Sequence, residues 1–323
     1  MNTQRIDFCT HCRKETEYYL SKKDIKKIIK DKEYNFKITI AVCKECGKEI
    51  SIPSLIDLNI KEIDQQYRDD EDIISIEDIK KLMSLYHIGK APLSLALGFG
   101  EITIKRYIAG QVPSKEYSDI MKTALSSPGY MKQKLEENKD KLALTAYSKA
   151  LDKTFELENL FSFSDRLKEV INYLFGQLEE ISPSSLHLLL YFSQGISYAL
   201  NGKPMFEEEC MLSSNGLVYK DVYNLFKDFP YDPREYERFV LLENTKHILN
   251  KEDYHILDLV IHTFGLYSYK ALKKIIIEEL NDDLILVNQI VHNTYIESYF
   301  KTKDSEYNFS NVEGIMNYID SIL

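Results

Sequence analysis

The sequence predicts a mainly α-helical protein, α+β overall, in three parts: a small β-containing N-terminal unit, a domain of short helices and a larger helical C-terminal domain. Three observations support this architecture. Two Cys-x-x-Cys pairs lie about thirty residues apart near the N-terminus. From residue 75, short segments with helical spacing alternate with glycine-marked turns. Longer amphipathic segments fill the second half of the chain.

The paired cysteines, Cys9 with Cys12 and Cys43 with Cys46, are predicted to bind one structural zinc ion. Four thiolates form a closed tetrahedral ligand set for Zn²⁺ and leave no position for a substrate. A redox dithiol is the alternative for either pair, but the presence of two pairs without a βαβ pattern favours zinc. His11 lies inside the first pair, and we expect it to be an exposed neighbour and not a ligand.

The zinc-binding unit is assigned to residues 1–56. Residues 34–42 alternate apolar and polar side chains, which predicts a strand that leads to Cys43. Gly47 suits the tight turn after the second pair, because a positive φ costs little at glycine. Residues 57–74 are acidic and polar and are assigned to a linker or a short helix.

Residues 75–128 are predicted to form a helix-turn-helix domain. Ser75 to Asp78 resembles a capping box, and apolar residues then repeat at helical spacing up to Tyr86. Gly89 is expected to end this first helix and Gly110 to stop the third. The first predicted helix starts at Ser75. The other three cover residues 92–97, 101–109 and 113–121. Short helices joined by glycine turns match this motif.

The third of these helices carries the candidate DNA-binding residues, which are Glu101, Thr103, Lys105 and Arg106. A recognition helix places N-terminal side chains on base edges, while lysine and arginine contact phosphates. Residues 76–125 contain seven lysines and arginines against five aspartates and glutamates, whereas the whole chain has a net charge of −10. Only this segment therefore suits DNA. The alternative is a helix-turn-helix that serves dimerisation or packing.

Residues 129–162 are assigned to a helical linker and residues 163–323 to the C-terminal domain. Residues 186–199 are nearly all apolar, which predicts a buried central helix. The remaining predicted helices of this domain cover 165–180, 220–229, 233–249, 253–264, 268–279 and 284–301.

The sequence predicts that this protein is not an enzyme. It contains no HExxH, GxSxG, Walker or GxGxxG motif. His255, Asp258 and His262 share one helical face and could hold a metal, but such residues are more often a polar stripe. Cys210 follows three glutamates, which would raise the pKa of its thiol and make it a poor nucleophile.

No apolar run long enough to cross a membrane and no apolar signal segment occurs in the sequence. The expected location is therefore cytoplasmic, with no membrane partner. Reducing conditions in that compartment favour cysteines as metal ligands over disulfides.

The N-terminal part resembles a known family. Residues 97–107 read Leu-Gly-Phe-Gly-Glu-Ile-Thr-Ile-Lys-Arg-Tyr, and residues 106–110 read Arg-Tyr-Ile-Ala-Gly, after the two cysteine pairs. Residues 1–125 are similar in this to the MqsA-type antitoxins. The resemblance implies a zinc finger followed by an Xre-like helix-turn-helix.

The C-terminal part resembles a second family. Residues 188–195 read Leu-Leu-Leu-Tyr-Phe-Ser-Gln-Gly, and residues 198–209 read Tyr-Ala-Leu-Asn-Gly-Lys-Pro-Met-Phe-Glu-Glu-Glu. Further matching segments are 216–218, 221–226 and 264–268. Residues from about 182 to 300 are similar in this to the Panacea (SocA-like) antitoxin domain.

Together the resemblances imply an antitoxin of a type II toxin–antitoxin system. Its C-terminal domain would neutralise a cognate protein toxin, and its zinc and helix-turn-helix region would bind its own promoter as an autorepressor. A homodimer on a palindromic operator is a further expectation. The sequence does not identify the toxin-binding residues. The alternative is a free-standing, zinc-containing transcription regulator with a ligand-sensing C-terminal domain.

Overall fold

The computed structural model describes residues 5–178, 181–213, 216–227, 237–243, 245–281 and 288–322, and the side chains of 278–281 are left aside. The chain divides into two compact units, residues 1–80 with 99–123, and residues 81–98 with 124–323. The described chain is mainly helical, with an N-terminal antiparallel sheet and a helical C-terminal region, which confirms the predicted fold class.

The first unit begins with a four-stranded antiparallel sheet in the order β1-β2-β3-β4. The strands are β1 (Ile6–Cys9), β2 (Lys14–Ile29), β3 (Lys32–Cys43) and β4 (Glu49–Ile50). Lys30 and Asp31 join β2 to β3 with φ of 51° and 66°, as a two-residue hairpin turn requires. The strand predicted over 34–42 is confirmed and lies within β3. The lysine-rich residues 22–29 form the end of β2.

Helix α1 (Pro53–Asp70) packs on β3. The segment 57–74, assigned to a linker or short helix, thus forms most of an 18-residue helix. Tyr67 on this helix packs with Tyr34 and Phe36 of β3 in a small apolar cluster. Tertiary contacts therefore stabilise this helix, and its polar sequence does not predict them.

Four short helices follow: α2 (Ile76–Leu85), α3 (Lys90–Ala96), α4 (Thr103–Ile108) and α5 (Lys115–Ser126). The Ser75 hydroxyl accepts a hydrogen bond from the Asp78 amide at 2.9 Å, as an N-cap does. Gly110 follows α4 with φ of 108°, as predicted.

Several boundaries in this region differ from the prediction; the fourth helix, for example, continues to Ser126 instead of ending at residue 121. Gly89 does not end α2; it is extended (φ −76°) and precedes α3 as its N-cap. His87 takes the left-handed conformation there instead, with φ of 49°. The third helix begins at Thr103, so Glu101 lies in the preceding turn. The left-handed conformation of a non-glycine residue such as His87 cannot be predicted from the sequence, because the surrounding structure imposes it.

In the second unit, α6 (Pro128–Glu137) and α7 (Leu144–Leu160) contact each other. Met131 and Leu135 of α6 are fully buried, as are Ala150 and Leu157 of α7. Residues 129–162, assigned to a helical linker, are thus helical but contain buried apolar side chains of their own.

Helix α9 (Pro183–Asn201) forms the centre of the C-terminal core, because every residue from Leu186 to Tyr198 is buried. It contacts five of the other helices of this unit. The remaining helices are α8 (Asp165–Gln177), α10 (Lys220–Phe226), α11 (Val240–Glu243), α12 (Lys251–Phe264), α13 (Tyr269–Asn281), α14 (Asn293–Tyr307) and α15 (Val312–Ile322).

A small antiparallel sheet, in the order β6-β5-β7, completes this unit. Its strands are β5 (Cys210–Ser213), β6 (Gly216–Val218) and β7 (Ile290–Val291). The sequence pattern predicts neither these strands nor α15. The helix predicted over 284–301 corresponds to α14, which begins at Asn293. Residues 284–287, 228–236 and 179–180, which belong to predicted helices, lie outside the described residues. Residues 245–249, predicted as part of the helix over 233–249, are not helical.

Candidate metal centre and other functional sites

The four cysteines of the two pairs come together in the first unit. The Sγ atoms of Cys9 and Cys46 lie 3.7 Å apart, and those of Cys12 and Cys43 lie 3.9 Å apart. All four sulfur atoms lie within 4.8 Å of one another. A tetrahedron with metal–sulfur bonds of about 2.3 Å has edges of roughly 3.8 Å. The cluster is therefore compatible with a structural metal site.

Two similar turns deliver these thiols. The amide of Arg13 donates to the carbonyl of Cys9 at 2.8 Å, and the amide of Gly47 donates to the carbonyl of Cys43 at 3.0 Å. Arg13 and Gly47 are both left-handed, with φ of 56° and 69°. Each pair thus sits on the same kind of loop, one between β1 and β2 and the other between β3 and β4. The sequence indicated the second loop through its glycine, but nothing indicated Arg13.

The thiols perturb one another because they are close. The pKa of Cys12 is raised, first by its hydrogen bond to Cys46 and then by burial and by its contacts with Cys9 and Cys43. The pKa of Cys43 is lowered, chiefly by the hydroxyl of Thr16 and the amide of Cys46. The Thr16 Oγ1 lies 3.3 Å from the Cys43 sulfur. Four thiolates this close need a cation between them, which is the role of a bound metal.

The predicted DNA-binding residues lie on and just before α4. Lys105 and Arg106 are exposed on this helix, whereas Ile104 and Tyr107 are buried. Thr103 is its first residue and is partly buried, and Glu101 is exposed in the preceding turn. Within the described part of the chain, neither Lys105 nor Arg106 forms an ion pair. By contrast, Lys115 and Lys122 on α5 both pair with Asp72.

Gln194 forms four hydrogen bonds from the segment 188–195 of α9. Its side-chain oxygen accepts hydrogen bonds from the amides of Met205 and Phe206 at 2.8 and 3.2 Å. Its side-chain nitrogen donates to the Phe206 carbonyl at 2.9 Å and to Asn293 Oδ1 at 3.0 Å. A fully buried amide is thereby satisfied. It ties the loop after α9 and the start of α14 to the central helix.

Gly195 is the next residue, and it allows close packing. A Cβ atom at this position would lie 2.4 Å from the ring of Phe300 on α14. Glycine is therefore required where these two helices meet. The Gln-Gly part of the segment 188–195 is thus explained by hydrogen bonds and by packing.

The alternative metal site on α12 does not form. The Asp258 carboxylate accepts a hydrogen bond from the Tyr173 hydroxyl at 2.7 Å, and His262 Nδ1 lies 2.6 Å from the carbonyl of Asp258. Within the described residues, the four cysteines are the only group of three or more potential ligands placed to hold a metal. Cys210 is buried, so its thiol is not exposed to a substrate.

No helix in the described residues is both long enough and apolar enough to span a membrane.

The comparisons with known proteins bear on the C-terminal unit. The family described as "Antitoxin SocA-like, Panacea domain" matches residues 186–280, which begin in α9 and end in α13. No curated protein and no solved structure matches the chain. The buried centre of α9, with Gln194 and Gly195, lies inside the matched range. The protein therefore carries a C-terminal SocA-like Panacea antitoxin domain.

Proposed function

We propose that this protein is the antitoxin of a type II toxin–antitoxin pair. Its C-terminal domain binds and neutralises a cognate protein toxin by stoichiometric association, with no bond made or broken. The match of residues 186–280 to an antitoxin domain carries this proposal. The absence of a catalytic motif from the sequence agrees with it.

The N-terminal unit is proposed to bind one structural Zn²⁺ through Cys9, Cys12, Cys43 and Cys46. The sulfur separations of 3.7 and 3.9 Å support this assignment. The ion would join the β1–β2 loop to the β3–β4 loop and neutralise their thiolates. A unit this small gains much of its stability from such a site, because metal binding is linked to folding.

The second proposed activity is autorepression through promoter binding. Helix α4 would act as the recognition helix, with Thr103 and Glu101 near base edges and Lys105 and Arg106 on phosphates. The exposure of Lys105 and Arg106 supports these roles. A homodimer would place two such helices about 34 Å apart on a palindromic operator.

Co-expression with each neighbouring gene tests the toxin-neutralising role. One neighbour should arrest growth alone and lose this effect when the protein is present. A copy that ends before residue 163, and so lacks the C-terminal domain, should not protect the cells from growth arrest. If no neighbouring gene arrests growth and the protein still represses a promoter, the free-standing regulator is the correct description.

Gel shifts with the DNA upstream of the gene test promoter binding. Lys105→Ala and Arg106→Ala should each weaken binding, whereas Lys149→Ala, which removes an exposed lysine from α7, should not. Equal binding by the wild type and the three variants would show that α4 does not contact the DNA.

Zinc content is measured on the same preparations by atomic absorption, and about one ion per chain is expected.

A further inference from the structure

A groove of about 720 Å³ lies in the C-terminal unit and has no role in the function proposed above. The first turn of α9, the β5–β6 hairpin and α10 surround it. Met211, Leu217 and Phe226 contribute apolar surface, and Tyr223 and Tyr269 contribute aromatic rings. Its volume falls within the range of small-molecule sites, roughly 300–1,000 Å³.

The charge of this groove is opposite to that of the region around it. Lys220 and Lys227 line it, and both are exposed. No aspartate or glutamate is among its described lining residues. Neither lysine forms an ion pair within the residues that the structure describes. Residues 126–323 nevertheless carry a net charge of −11. Two lysines with no carboxylate beside them in the groove are therefore unusual for this part of the chain.

His187 adds a directed hydrogen-bond donor. Its side chain is 6% exposed, and its Nδ1 accepts a hydrogen bond from the Tyr219 amide at 3.2 Å. Since a backbone amide can only donate, Nδ1 carries no proton and the proton of the neutral ring is on Nε2. Burial lowers the pKa of His187 to about 4, which keeps the ring neutral.

The Nε2–H group of His187 has no hydrogen-bond partner among the described residues. The ring nevertheless lines the groove. A ligand or water in the groove can therefore accept a hydrogen bond from this group. Ser182 and Ser184 also line the groove.

We propose that this groove binds a small organic anion, with a carboxylate, phosphate or sulfonate group on an apolar body. Lys220 and Lys227 would attract the anionic group, and His187 Nε2–H would donate a hydrogen bond to one of its oxygens. Met211, Leu217 and Phe226 would cover the apolar body. The proposal does not depend on toxin binding.

Titration of the full-length protein with 8-anilinonaphthalene-1-sulfonate tests this proposal, because the probe joins a sulfonate to apolar rings and fluoresces when bound. Saturable binding at one site per chain is expected. Lys220→Glu with Lys227→Glu should weaken the affinity about tenfold or more. The control is Lys149→Glu with Lys251→Glu, which changes the net charge equally at exposed sites on α7 and α12 and should leave the affinity unchanged.

The uncharged probe N-phenyl-1-naphthylamine tests whether the lysines act through the charge of the ligand. Its affinity should be the same for the wild type and for both double variants. Circular dichroism confirms that each variant is folded. Equal sulfonate affinity in the two double variants would overturn the proposal. Growth protection by the wild-type protein is scored separately, so failure of the groove and failure of the antitoxin role are distinguishable.

Discussion

Asn59 on α1 and Thr39 on β3 are joined by two hydrogen bonds. The Asn59 side-chain oxygen accepts from the Thr39 amide at 2.8 Å, and the side-chain nitrogen donates to the Thr39 carbonyl at 2.9 Å. Gln66 does the same for Lys37, at 2.7 and 3.0 Å. Alternate residues of an antiparallel strand present both backbone groups to one edge. Helix α1 therefore satisfies the edge of β3 as a neighbouring strand would.

The edge contact predicts a loss of stability on removal of the Asn59 amide. Asn59→Ala should lower the free energy of unfolding of the N-terminal unit by about 1–3 kcal/mol, because two backbone groups of Thr39 lose their partners. Urea unfolding measures this change, and amide exchange at Thr39 should become faster. Asn35→Ala, at an exposed position of β3, serves as the control and should have a much smaller effect. Unchanged exchange at Thr39 would contradict the assigned bonds.

The two cysteine turns predict opposite effects of substitution at equivalent positions. Gly47→Ala should destabilise the N-terminal unit by about 1 kcal/mol, because a side chain is disfavoured at φ of 69°. No atom lies within 4 Å of the added Cβ, so the cost is conformational. Arg13→Gly should be neutral or stabilising, since it relieves the same strain. Thermal unfolding with zinc present tests both, and a stabilising Gly47→Ala would show that the turn is misassigned.

Gly195 predicts a packing defect in the antitoxin domain. Gly195→Ala should cost about 1–3 kcal/mol, because the methyl group would overlap the ring of Phe300. Gly176→Ala on α8 is the matched control, because nothing lies within 4 Å of its added Cβ. Alanine is the better helix former, so the control should be neutral or stabilising. Thermal midpoints of the two variants should therefore move in different directions or by clearly different amounts.

His187 predicts a loss of stability in mild acid. Its pKa is about 4 in the folded protein against 6.5 for the free group. The unfolded chain therefore takes up the proton first, and the contribution to stability is lost as the pH falls below 6.5. At pH 5 the loss is about 2 kcal/mol relative to pH 7.5.

Urea unfolding of the wild type and of His187→Gln at these two pH values isolates this contribution. The variant should lack it, so its stability should fall less between pH 7.5 and pH 5. Glu169 adds to acid sensitivity only at lower pH: burial raises its pKa, but hydrogen bonds from Tyr254 and from the amides of Ile248 and Leu249 outweigh this and lower it below 4.5. Equal pH dependence in both proteins would exclude His187 as the titrating group.

Sequence reasoning succeeded where a local pattern carries the information. The spacing of the four cysteines, the alternation before Cys43 and the left-handed Gly110 all depend on near neighbours in the chain. It was less successful at the ends of elements. At residues 87–89, for example, the left-handed conformation falls on His87 and the glycine is extended. Residue preference suggested the reverse, because local propensity does not include the packing around the turn.

The sequence by itself determined the cysteine cluster, the mainly helical class and the resemblance of the C-terminal part to an antitoxin domain, since residue type and spacing are enough for each. Only the tertiary structure decided that the lysine-rich segment before residue 30 is a strand and that a polar segment is the helix α1. Their partners lie far away in the chain: Asn59 reaches across 20 residues to Thr39, and Glu169 reaches across 80 to Leu249. Such hydrogen bonds exist only once the chain has folded, so no local pattern encodes them.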